Sequence, residues 1–307
     1  MRVALDTTPL RQTQAGTARY VRGLRDHLDV EVVEVAFPAT SRARTFLADA
    51  VWYPRLRPPR GADVLHCPTF RGPFRARAPL VVTVHDLAVL RHPEWFNRWT
   101  AAYSRLAVPR VVRAAARVIA VSEFTKRELV DLLAVPPERI RVVPNAVDDA
   151  FTPDGPRAEG DYVLAVGTLE PRKNLARIAR AVDGELRVVG ARGWRGVDAP
   201  PNARWLGDVP DAELAALYRG ARCLVYASLY EGFGIPVAEA LACGCPVVTS
   251  EGTAMAEIAG GDAAYVDPAD VESIRAGIER AAAPRPRRVA TWAEVAARTR
   301  AVYEELV

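Results

Sequence analysis

Apolar and polar positions follow two alternating rhythms along the chain. Short continuous apolar runs bounded by polar turns recur at residues 3–5, 31–37, 62–68, 80–90, 139–145, 162–166, 224–227 and 246–249. Runs of this length, rich in valine, predict strands buried on both faces of a parallel sheet. Between them the apolar residues take helical spacing, as at Tyr20, Val21, Leu24 and Leu28, or at Trp292, Val295, Ala296, Thr299 and Tyr303 in the tail 285–307. Ser122 reads as an N-cap before one such helix, Asn174 as the cap of another, and Gly220 as the end of a third. Strand and helix alternate in both halves, so the fold class expected is α/β, with two doubly wound Rossmann-like domains facing across a cleft. The Pro- and Gly-bearing stretch from Phe151 to Asp161 reads as the linker, giving domains 1–155 and 156–285.

The stretch LVYASLYEGFGIPVAEALACGCPVVTS, Leu224 to Ser250, is the most informative. It predicts a strand, a loop carrying Glu231, Gly232, Phe233 and Gly234, a helix started by Pro236 and stopped at Gly244, and a second strand, Pro246 to Thr249. Glycines at 232 and 234 permit positive φ and close approach of a ligand, and the helix start is an anion seat. Glu231 and Glu239 would repel a phosphate, so their expected partners are the hydroxyls of a ribose and a hexose. A tight turn with two solvated glutamates fits the spacing as well.

Elsewhere, Arg172 and Lys173 end the loop after Gly167, beside a helix start, as two cations for a diphosphate. His66 and His85 both end strands, where open parallel sheets bind ligands, and Asp86 follows His85. His66 is expected to be structural. Placement alone gives His85 the same structural reading; what sets it apart is that HDL resembles a position of a glycosyltransferase family that contacts the donor sugar, which implies a neutral imidazole hydrogen-bonding a sugar hydroxyl, with Asp86 fixing its tautomer or its loop. A long helix is expected from Glu94 to Arg117, kinked or broken at Pro109. One face holds Trp95, Trp99, Ala102 and Leu106, and arginines fill much of the rest. Such a face suits a membrane surface, or an ordinary helix packing its tryptophans on the sheet; the second is the commoner arrangement. Residues 38–61, with Phe46, Trp52 and Tyr53, read only as loop plus a short helix.

At 307 residues and 50% apolar the chain can bury two cores. No apolar run approaches membrane-spanning length and the start does not read as a signal peptide, so a cytoplasmic location is expected, with peripheral membrane contact as an option. Net charge is +4, almost all of it from arginine; Lys126 and Lys173 are the only lysines. That balance suits an anionic ligand, and no basic run points to nucleic acid. Cys67, Cys223, Cys243 and Cys245 lack metal-site spacing and read as buried thiols.

The segment EGFGIPVAEALACGCPVV closely resembles the E-x7-E segment of glycosyltransferase family 4, whose members are retaining enzymes of the GT-B fold. VGTLEPRKNL, VSEFTKREL and HDL at 85–87 resemble it too, with departures at Ala18 in the first loop and Ala146 in PNAVDDAFTP. The resemblance implies an N-terminal acceptor-binding domain completed by a helix in 286–307 that crosses back to it, and a C-terminal nucleotide-sugar domain. It implies a metal-independent transfer of a hexose, with a lean to mannose, from a GDP-, UDP- or dTDP-sugar to a carbohydrate, lipid-linked or small-molecule acceptor. The absence of an Asp-x-Asp triplet agrees with metal independence, and no cofactor is expected. By the same resemblance His85, Arg172, Lys173 and Glu231 are catalytic, while Gly16, Asp86, Gly167, Val209, Gly232, Phe233, Gly234, Ile235 and Glu239 bind the donor. A sugar-nucleotide epimerase and a non-catalytic nucleotide-sugar binder are the competing readings.

Overall fold

The computed structural model describes residues 1–12, 16–37, 47–191 and 200–307. Phe46 lies outside the described residues. The chain divides into two compact units, Met1–Ala146 with Trp292–Val307, and Val147–Thr291.

The first unit holds β1 (Arg2–Asp6), β2 (Glu31–Val35), β3 (Val64–Cys67), β4 (Leu80–Val84), β5 (Arg117–Ala120) and β6 (Ile140–Val142). All pairings are parallel, in the order β2-β1-β3-β4-β5-β6. The central strands β3 and β4 are buried at every position, which is why their sequences are almost uninterruptedly apolar. The tail forms the helix Trp292–Glu304, whose buried residues Trp292, Val295, Ala296, Thr299, Val302 and Tyr303 make one stripe. It packs on the helix Gly16–His27, where the Trp292 indole fills the space a side chain at Gly23 would need. The Tyr303 hydroxyl meets His66 Nδ1 at 2.6 Å, and Arg117 and Arg141 hold Glu305. His66 Nε2 lies 2.9 Å from the Thr83 hydroxyl, and burial pushes its pKa down to about 3. His66 is thus a neutral core histidine.

The second unit holds β7 (Tyr162–Val166), β8 (Glu185–Val189), β9 (Ala203–Gly207), β10 (Cys223–Tyr226), β11 (Val247–Ser250) and β12 (Ala264–Val266), again parallel, in the order β12-β11-β10-β7-β8-β9. It begins earlier than the sequence suggests. Phe151 is buried in it, and Arg219 donates to the carbonyls of Pro156 and Thr152, so 151–161 is bound backbone rather than a free linker. All four cysteines are buried thiols.

Two expectations about the 94–117 segment need correction. The helix proper is Arg98–Ala114, capped by Asn97, and it runs through Pro109 without ending. Its tryptophan face does not pack on the sheet. Tyr103, Ser104, Ala107, Val108, Val111 and Val112 face inward, while Trp99 and Leu106 are 43% and 49% exposed. Among the described residues no helix is long and apolar enough to cross a membrane.

Candidate functional site

In an open parallel sheet, ligands bind beyond the carboxyl ends of the strands where the strand order reverses direction. In the second unit that point lies between β7 and β10. The loop after β7 starts at Gly167, φ +153°, against Gly190, φ +144°, where a Cβ would overlap the Gly167 carbonyl. It then forms a 3-10 turn, Pro171–Lys173, and Asn174 takes φ +58° before the helix Leu175–Ala181. Asn174 makes no side-chain cap, contrary to expectation. Its amide instead donates to the carbonyls of Ala227 and Pro268, tying this loop to the end of β10. The Leu229 amide donates to the Arg172 carbonyl at 2.8 Å and closes the same seam.

This stitching brings three of the expected catalytic residues together. Arg172 Nη1 lies 2.7 Å from Glu231 Oε2, and Lys173 Nζ lies 2.5 Å from Glu231 Oε1. Glu170 takes the other face of the Arg172 guanidinium at 3.0 Å. Tyr226, the last residue of β10, completes the cluster: its hydroxyl accepts from Lys173 at 2.6 Å and donates to Glu231 at 3.0 Å. Burial alone would raise the Glu231 carboxyl, yet Arg172 and Lys173 together hold it down at about 2. Burial, with repulsion from Arg172, lowers the Lys173 ammonium, and Glu231 opposes both. Burial and the Glu231 charge push the Tyr226 phenol far up, so it remains a donor.

Beyond Glu231 the loop enters the helix Ile235–Ala242, with Pro236 in its first turn and no acidic side chain there. Only one of the two loop glycines has the backbone geometry expected of both. Gly234 is left-handed at φ +95°, packed against Met255, whereas Gly232 has no positive φ. Phe233 is buried and Ile235 half-buried. Glu239, one turn in and 2% exposed, accepts a hydrogen bond from the Tyr218 hydroxyl at 3.0 Å. Val209 is half-buried in the turn between β9 and the helix Asp211–Gly220.

In the first unit the strand order reverses between β1 and β3, and a cavity of about 240 Å³ opens there, lined by Pro9, Thr17, Thr69, Phe70, Arg71, His85 and Asp86. Gly16 starts the helix that supplies Thr17. His85 Nε2 lies 3.0 Å from the Pro68 carbonyl. A carbonyl only accepts, so Nε2 carries the proton and Nδ1 keeps its lone pair. Burial lowers the His85 pKa against that bond, and the Tyr20 ring packs edge-on at 4.9 Å. Of the two tasks expected of Asp86, it performs the second: its Oδ1 accepts from the Ala88 amide at 3.0 Å and fixes the loop, while Pro68 sets the tautomer. Arg71 pairs with buried Asp49 at 2.8 Å. A larger hollow, about 460 Å³, lies among Met1, Asp29, Glu31, Arg300 and Glu304, at the amino ends of β1 and β2, away from these groups.

Sequence reasoning missed Tyr226, Tyr218 and Arg71. Both tyrosines stand where core residues are expected, and only their hydroxyl partners reveal a polar task.

Comparisons with known proteins point the same way. A profile described as Glycosyltransferase Family 4 matches residues 12–151, and one described as Glycosyl transferases group 1 matches 160–283. The chain is 32% identical over 244 residues to the O-antigen chain mannosyltransferase B of Escherichia coli, covering 70% of this chain and 64% of that protein. It thus spans less than two thirds of that relative's length. Among solved structures, sucrose-phosphate synthase from Thermosynechococcus elongatus superposes with a TM-score of 0.70 at 18% identity, covering 100% of this chain and 94% of that one. Anabaena HepE, solved in complex with UDP and glucose, gives 0.64 at 16%, covering 100% and 95%. At such identities the structural likeness establishes the GT-B architecture.

Proposed function

Because the chain belongs to glycosyltransferase family 4, we propose that it transfers a hexose, mannose by preference, from a nucleoside-diphosphate sugar to a glycan, lipid-linked or small-molecule acceptor. In this reading the reaction is cytoplasmic, needs no metal ion and retains the anomeric configuration. The observation that carries the reading is the convergence of Arg172 and Lys173 at the switch point of the second sheet, beside a helix tip free of acidic side chains.

Breaking the anomeric C–O bond builds negative charge on the departing diphosphate. Two fixed cations aimed at that charge lower the barrier by preorganised electrostatics, a contribution of roughly 3–4 kcal/mol per well-placed group. In the free protein Glu231 occupies both cations. A bound diphosphate takes over those contacts and leaves the Glu231 carboxylate to accept from a sugar hydroxyl. In the second unit Glu239, steadied by Tyr218, holds the ribose hydroxyls; in the first, His85 offers Nδ1 as an acceptor for a sugar hydroxyl. No side chain is placed as a nucleophile in this scheme; the acceptor oxygen attacks on the face the diphosphate leaves, and its proton passes to the departing phosphate oxygen. The relative named as a mannosyltransferase supports mannose, and the neighbour solved with UDP and glucose puts UDP-sugars beside GDP-sugars among donors to test.

The test is a melting-temperature screen with UDP, GDP and dTDP, followed by incubation of the matching sugar nucleotides with candidate acceptors in the presence of EDTA. The expected result is stabilisation by one diphosphate, about 2.7 kcal/mol at a hundred times its Kd, and a product whose anomeric configuration matches the donor. No stabilisation by any of the three overturns the reading.

A further inference from the structure

We propose that Tyr226 is a positioning residue for the leaving-group cation: its hydroxyl keeps the Lys173 ammonium in place while Glu231 gives way to a diphosphate. The inference deepens the transferase reading and rests on it for the identity of the anion.

The two cations are anchored unequally. Arg172 holds Glu231 with one end of its guanidinium and Glu170 with the other, so the departure of Glu231 leaves it fixed by a carboxylate. Among the described residues Lys173 pairs with no second carboxylate. Its side chain passes along Gly167, where a Cβ would meet Lys173 Cδ at 3.1 Å, and ends between Glu231 Oε1 and the Tyr226 hydroxyl. An ammonium on a four-carbon stem is a flexible point charge with three donors. Glu231 and Tyr226 take two of them, which leaves one for a ligand. Once a diphosphate has replaced Glu231, the phenol at 2.6 Å is the protein group that still holds the ammonium, with the Tyr226 ring centroid 4.9 Å from Nζ.

Neutrality and rigidity suit the task. A phenol does not compete with a diphosphate by charge, and this one stands on the sheet. Tyr226 closes β10 in register with Thr249 of β11, whose hydroxyl donates to the Tyr226 carbonyl at 3.0 Å. Filling the space asks for no hydroxyl here, and Tyr162 on the neighbouring β7 shows the ordinary arrangement: it spends its hydroxyl on the Leu217 carbonyl. Burial and then Arg172 press the Lys173 ammonium toward its neutral form, while Glu231 and Glu170 oppose them. A neutral acceptor at bonding distance supports the charged form when Glu231 is no longer beside it.

Lys126 and Lys173 are the only lysines, so the full chain isotope-labelled at lysine Cε gives two resonances in a pH titration, and Lys126→Arg assigns them. Tyr226→Phe should move the Lys173 titration to lower pH in the absence of ligand. It should also weaken binding of UDP or GDP about tenfold, and more at pH ~9 than at pH ~7, because binding then selects a protonated lysine that the variant holds less well. Tyr162→Phe, which removes a buried hydroxyl from the same sheet, should leave titration and affinity at their wild-type values. A Lys173 titration that Tyr226→Phe leaves in place, or that Tyr162→Phe moves equally, overturns the proposal. The titration needs no ligand, so it decides the role of Tyr226 even where none of the diphosphates binds, an outcome that overturns the transferase reading instead.

Discussion

Lys173 Nζ and Glu231 Oε1 lie 2.5 Å apart, and the Tyr226 hydroxyl bridges them. With Arg172 on the other carboxylate oxygen, the free protein keeps its two cations neutralised by a charge of the same sign as the ligand proposed for them. The carboxylate and a diphosphate therefore compete for one place, which has measurable consequences.

Replacing Glu231 by Gln removes the competing charge and keeps the shape. The variant should be less stable without ligand, by roughly 3 kcal/mol, because Lys173 loses its counter-charge in a buried site and Arg172 keeps only Glu170. It should bind UDP or GDP about tenfold more tightly, a gain of ~1.4 kcal/mol, while transfer falls. Calorimetric titration of wild type and variant decides it; weaker diphosphate binding by the variant refutes competition.

Lys173→Ala acts in the opposite direction. Loss of one cation from the leaving-group site should lower turnover by about 10²- to 10³-fold, with a folded protein that still pairs Glu231 with Arg172. Turnover and circular dichroism on the same sample check this, and unchanged turnover removes Lys173 from the mechanism.

The central β-loop-α-β unit was legible because each part follows local rules: a strand of buried apolar residues, a left-handed glycine at 234, a proline at the helix start and a glycine stop at 244. The cation pair was legible as a position, but its resting partner was not. Tyr226 sits at the end of the apolar run CLVY, and nothing in one dimension distinguishes a core tyrosine from one whose hydroxyl bridges an ion pair. The helix at 98–114 shows the other limit. Its sequence carries two stripes at helical spacing, one with tryptophans and one with Tyr103, Ala107 and Val111. The buried stripe is the one with Tyr103, of which Val108, Val111 and Val112 join the core of the first unit.

Gly190→Ala should damage the second unit from a distance. The new Cβ meets the Gly167 carbonyl, a backbone atom that cannot swing aside, and Gly190 is already at φ +144°. A loss of stability above ~1 kcal/mol is expected, together with reduced turnover as Gly167 shifts against the Lys173 side chain. Gly184→Ala, also at positive φ but with open space around it, controls for backbone strain alone. Equal turnover in the two variants refutes the coupling.

Acid should loosen the first unit through His66. Its folded pKa, about 3, lies below the unfolded value near 6.5, so the unfolded chain binds the extra proton. This stability is full above pH ~6.5 and declines as pH falls toward 3, by ~2 kcal/mol at pH 5. His66→Gln should be less stable at neutral pH yet lose less between pH 7 and pH 5. Urea unfolding at the two pH values measures both slopes, and parallel slopes exclude His66 as the sensor.

Glu239 and Tyr218 make the last prediction. The carboxylate is buried and its Oε2 accepts from the Tyr218 hydroxyl, and the proposed reading gives it a vicinal diol to hold. If that diol is a ribose, wild type should prefer a nucleoside diphosphate over its 2′,3′-dideoxy form by about tenfold or more, since each lost bond to a charged group is worth ~1.5–3 kcal/mol. Glu239→Gln should erase most of that preference by weakening the ribonucleotide alone. Tyr218→Phe should erase part of it, because the carboxylate keeps its charge and loses only its orientation. Titration of the two nucleotides against the three proteins gives six affinities, and a preference that survives Glu239→Gln places the ribose elsewhere.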